Sequence, residues 1–164
     1  MTRSLLVLAV LFAFEARADE RSAEQLRAFI VDACEYFDEH HPISPEEAQP
    51  HFGKPRKREW VTKQVSTPHP RYYVDSKRLP GWQVSLEYQI HANVTVPRDR
   101  RMTIGELEKA VGPVDNDDVS EAPLHFSIVD LGPKKMCMVI IEGDGKSGRD
   151  DWRRQRVVSI TVED

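Results

Sequence analysis

Residues 142–151, Glu-Gly-Asp-Gly-Lys-Ser-Gly-Arg-Asp-Asp, combine a Gly-Lys-Ser triplet with three aspartates. A phosphate-binding loop needs a further Gly five positions before the Gly-Lys, so that backbone amides wrap the phosphates, and it must lead into a helix. Position 140 is Ile, and the residues after 151 pass into the alternating run Arg156 to Val162. A calcium loop needs oxygen ligands at alternate positions and a bidentate acid at its end. Lys146 and Gln155 stand where two of those oxygens belong. The stretch therefore reads as a Gly- and Asp-rich hairpin loop.

The six histidines, His40, His41, His51, His69, His91 and His125, lack the close pairing on one helix face or turn that zinc sites use. No metal site and no cofactor is expected. Neither Gly-x-Ser-x-Gly nor His-Glu-x-x-His occurs. Cys34 falls on an apolar stripe, without the electropositive, accessible setting a thiolate nucleophile needs. Glu46-Glu47 opens a helix, where negative charge is favoured by the helix dipole. The residues thus point to binding rather than catalysis. Trp60 and Trp152, each flanked by charge, are candidate surface anchors, whereas Trp82 is in phase with core residues. The candidate binding residues are Gln83, Glu87, Gln89 and His91, on the wet side of one alternating stretch, with Trp60 or Trp152 at its edge.

The elements that must position these residues follow from periodicity. Leu26, Phe29, Ile30, Ala33 and Phe37 recur at helical spacing over about 23 to 39, with Cys34 beside them and Ser22-Gln25 as a capping box at the start. Two shorter helices share one grammar. Ser44 and Thr103 are caps, Glu47 and Glu106 lie three residues on, Ala48 and Leu107 four on, and Gly53 and Gly112 nine on. Between them the period becomes two. Trp82 to Val96 alternates as one long strand or two, and Leu124 to Val129, Met136 to Ile141 and Arg156 to Val162 read as strands. The second of these is apolar on both faces, which predicts a central position. Weaker strands are expected at 59–66 and 71–74. The predicted fold is α+β: an N-terminal helix followed by two αβββ-like units with an antiparallel sheet, and a possible internal repeat of 40–97 and 98–164.

Residues 1–18 have the order of a signal peptide: Arg3, an apolar run from Leu5 to Phe14, then Ala16-Arg17-Ala18. Cleavage near Ala18 predicts a periplasmic or secreted protein, with 19–164 as a single α+β domain and no transmembrane segment. An uncleaved N-terminal helix is the alternative. The mature chain carries a net charge of −5, which with the compartment excludes nucleic acid as the expected partner. The basic runs 54–58 and 98–101 read as solvated loops. In an oxidising compartment Cys34 and Cys137, the only cysteines, are candidates for a disulfide, with two buried thiols as the alternative.

Met102-Thr103, Leu107, Gly112 and Pro113 resemble the helix signature of the β-lactamase inhibitor protein family and of the small outer-membrane assembly lipoproteins that share its fold. Ser44, Ala48, Phe52, Gly53 and Pro55 are similar at matching places. Arg101 stands where the family carries Gly. The resemblance implies an exported, non-enzymatic module that binds a protein through its sheet. The expectation is therefore a binding or inhibitory module of the cell envelope or extracellular space. The alternatives are a small exported hydrolase using histidine and carboxylate, or a metal-binding periplasmic protein.

Overall fold

The structure, a computed structural model, describes residues 3–40, 44–63, 67–87, 91–116, 124–132, 135–147 and 149–163. Within these, side chains are described except at 3–20, 110, 116, 126, 130–132, 135–136 and 149–150.

Helix α1 runs from Arg3 to Glu39. It begins about twenty residues before the predicted start, and Ser22, expected as its cap, is a buried residue inside it. The physical reason is local: residues 3–39 contain neither Gly nor Pro, so nothing interrupts helix propagation upstream of Ser22. Among the described residues no helix is long and apolar enough to cross a membrane. Helices α2 (Pro45–Phe52) and α3 (Ile104–Val111) form where their caps predict, and both capping boxes are complete. Ser44 and Thr103 accept the amides of Glu47 and Glu106, whose carboxylates accept the cap amides in return.

Eight strands form one antiparallel sheet: β1 (Lys54–Val61), β2 (His69–Asp75), β3 (Gln83–Glu87), β4 (His91–Thr95), β5 (Asp115–Asn116), β6 (Leu124–Gly132), β7 (Lys135–Gly143) and β8 (Val157–Glu163). Their spatial order is β1-β2-β3-β4-β8-β7-β6-β5. Each short helix thus precedes four strands rather than the three expected. The alternating stretch divides into β3 and β4, with Glu87 opposite His91, and the two-residue β5 is too short to carry a periodic signal. The basic run 54–58 is an edge strand and not a loop, since Arg58 and Trp60 pair with Tyr72 and Pro70. The strand that is apolar on both faces, β7, is internal but off-centre, because β4 and β8 hold the middle. A 3-10 turn, Arg149–Arg154, lies in the connection from β7 to β8, so residues 142–151 join two antiparallel neighbours as read.

The helices cover one face of this sheet. Leu26, Phe29, Ile30, Ala33 and Phe37 of α1 are buried together with Val84, Val94, Val139, Ile160 and Val162 of the strands. At this interface Cys34 and Cys137, 103 positions apart in sequence, are joined in a disulfide with Cα atoms 5.6 Å apart, tying α1 to β7. The bond is compatible with an oxidising, exported location.

Candidate binding face

Side chains alternate across each strand, so the register sorts them into two faces. The helix-covered face takes Tyr72, Val84, Leu86, Ala92, Val94, Ile160 and Val162. The other face takes Tyr73, Ser85, Asn93, Thr161 and Ile140 in one cross-strand row. Beside it runs a second row with Glu87, His91, Glu163, Met138 and Ile128. No helix of the described residues lies over this second face.

Its centre is a polar network. Arg71 Nε lies 2.7 Å from Glu87 Oε1, and His91 Nδ1 lies 2.9 Å from Glu163 Oε1. In both contacts the nitrogen is buried and poorly aligned for donation to the carboxylate oxygen. Asn93 Nδ2 donates to Glu87 at 3.1 Å, and Thr161 Oγ1 donates to Asn93 Oδ1 at 2.6 Å. His69 Nε2 sits 3.6 Å from the second Glu87 oxygen. Glu87 is therefore the hub of β2, β3 and β4, and it holds the Arg71 guanidinium above its ordinary range. Toward the β1 edge Tyr73 donates to Glu59 at 2.9 Å, and Lys57 pairs with the same carboxylate. These two partners push Glu59 below the usual carboxylate range. A recess of about 330 Å³ at this corner is lined by Arg56, Lys57, Glu59, Tyr73 and Gln83.

Of the residues singled out from sequence, Gln83, Glu87 and His91 share this face, and Gln89 lies outside the described residues. The tryptophans do not border it as expected. Trp60 is 60 % exposed, but strand alternation sends it to the helix-covered side, where Arg58 lies over both Trp60 and Tyr72. Tyr72 in turn donates to Glu46 of α2. Trp152 is half-buried against the core and stacks on buried His125 with ring centroids 4.9 Å apart. The 3-10 turn around it rotates the indole inward while the flanking Asp151 and Arg153 stay exposed. Sequence reading missed His69, Arg71, Asn93, Thr161 and Glu163. Alternation puts Asn93 on the wet side of its stretch and could have put Thr161 there too, but which strands adjoin could not be read.

A second aromatic cluster lies on the helical side. Tyr36 is stacked between His40 and His51, at 4.3 and 4.0 Å, and His51 meets Asp32 at 3.1 Å, which also binds Arg78 at 2.6 Å. This arrangement closes the junction of α1 and α2. Among the described residues no group of three or more His, Cys, Asp or Glu side chains is arranged to hold a metal ion. Compared with known families, curated proteins and solved structures, the chain matches none.

Proposed function

We propose that this chain is an exported, disulfide-bonded, non-enzymatic binding or inhibitory module of the cell envelope or extracellular space, and that it engages a protein partner through the uncovered face of its sheet. The observation that carries this reading is the asymmetry of the sheet. The described helices bury one face, while the other presents Gln83 and, within a network of close polar contacts and hydrogen bonds, Glu87 and His91. Side chains fixed before contact lose little freedom on association, which favours binding. Export with cleavage near Ala18 is supported by the charge-apolar-small order of residues 1–18 and by the Cys34–Cys137 bond. Descent of 40–97 and 98–164 from one duplicated unit is supported by two capping boxes fifty-nine residues apart, each heading a run of four antiparallel strands. The same features support the likeness to the β-lactamase inhibitor protein family.

The test is a cross-linking pull-down of residues 19–164 from the native envelope, with wild type, Glu87→Lys, His91→Glu and, on the opposite face, Trp60→Ala. A partner enriched by wild type and Trp60→Ala but lost with the two face variants is the expected result. A partner kept by the face variants and lost with Trp60→Ala would overturn the assignment of the face, and the absence of any partner would overturn the binding reading.

A further inference from the structure

We infer that the β6–β7 half of the uncovered face is the contact surface for a protein segment that carries an apolar side chain flanked by Lys or Arg; this rests on the sheet-face reading above and names the chemistry of the partner. Strand β7 is apolar on both sides. Cys137, Val139 and Ile141 enter the core, while Met138 and Ile140 alternate with them on the uncovered side. That pattern belongs to strands covered on both faces, yet the helices of the described residues cover only one. Met138 stands opposite Ile128 in the register, and the two are 40 % and 64 % exposed, so neighbouring strands present adjacent apolar side chains to water. The β2–β4 half of the same face has charge pairs at the corresponding places. Such a patch marks an interaction site.

The rim identifies the occupant. Glu142 stands opposite Leu124, and Glu163 opposite Met138. Glu142 accepts from Ser159 at 2.6 Å and Glu163 faces His91, and neither is paired with a Lys or Arg of the described residues. Lys135 stands at the far end of β7, opposite Gly132. A second copy stacked on this patch about a two-fold axis passing close to these acids would bring like charges together, which disfavours it. An anionic bilayer surface is repelled by the same two carboxylates. A segment with a central apolar residue and basic neighbours fills the patch and neutralises its rim.

The experiment selects phage-displayed random peptides on the disulfide-intact full chain. Binding of the enriched peptides is then compared with Ile128→Ser/Met138→Ser, which alters only exposed side chains, and with Glu142→Gln/Glu163→Gln, while sedimentation reports self-association. Expected are peptides with an apolar residue beside Lys or Arg, weakened roughly tenfold or more by the serine variant and severalfold by the glutamine variant or by added salt. A consensus that is acidic or neutral but still lost in the serine variant overturns the basic chemistry and leaves the sheet-face reading standing. Peptides that bind wild type and the serine variant alike, or no enriched peptides, overturn the inference, while the sheet-face reading is judged separately by the pull-down with Glu87→Lys and His91→Glu. A wild-type dimer that dissociates in the serine variant overturns the inference in favour of a second copy.

Discussion

His125 is 1 % exposed and stacked on Trp152, and among the described residues neither of its ring nitrogens has a well-aligned hydrogen-bond partner. Burial pushes its pKa below the ordinary value. The sign of the consequence follows from linkage. Above about pH 6.5 the imidazole is neutral in both folded and unfolded chains and adds no pH dependence. As pH falls below that value the unfolded chain takes up a proton that the folded one resists, so stability declines. Urea unfolding of wild type is expected to lose midpoint between pH 7 and 5.5 more steeply than His125→Leu, and equal slopes would refute the assignment. At this scale the sequence was legible where a residue lies inside a regular pattern: Trp82, in phase with Val84 and Leu86, is buried as expected. It was opaque where flanking charges were the only guide. Trp152 lies between Asp151 and Arg153 and still turns toward the core, because a 3-10 turn does not preserve the alternation that flanking charge implies.

Among the elements, the short helices were legible because caps are local. Thr103 accepts the Glu106 amide at 3.2 Å and donates its own backbone amide to the Glu106 carboxylate in return. Thr103→Ala is expected to lower stability by about 1 kcal/mol, measured by urea unfolding. The two terminal glycines look alike in sequence but act through different physics. Gly112 adopts φ 97°, which a side chain disfavours by roughly 1–2 kcal/mol. A Cβ on Gly53 would sit 2.3 Å from the Asp75 carbonyl oxygen, a clash that only a backbone shift relieves. Gly53→Ala is therefore expected to destabilise more than Gly112→Ala, and the reverse order would show that β2 yields at Asp75 without cost. The division of 82–96 into β3 and β4 was only half legible, since alternation continues unbroken through both and sets no boundary. The upstream extension of α1 was illegible for another reason. Ser22 and Gln25 satisfy the pattern of a cap, but a cap is used only where the helix would otherwise end.

For the whole molecule, the class α+β and the pairing of Cys34 with Cys137 could be anticipated from periodicity, burial and cysteine number. Strand order could not, because alternation reports which side of a strand is dry and nothing about its neighbours. The placement of apolar β7 away from the centre shows this directly. Closing a loop of 103 residues is worth about 4–5 kcal/mol in the chain-entropy model. Cys34→Ser/Cys137→Ser is expected to lose a comparable amount in urea, and dithiothreitol should lower the wild-type midpoint while leaving the variant unchanged; a wild type indifferent to reductant would refute the structural role of the bond. The position of β8 has a consequence in time. Strand β8 lies between β4 and β7 and, among the described strands, is the one that pairs the two sets of four within the sheet. A nascent or translocating chain that has not yet delivered residues 157–163 therefore leaves β4 and β7 each with an unpaired hydrogen-bonding edge, and the arrival of β8 joins the two halves into one continuous sheet.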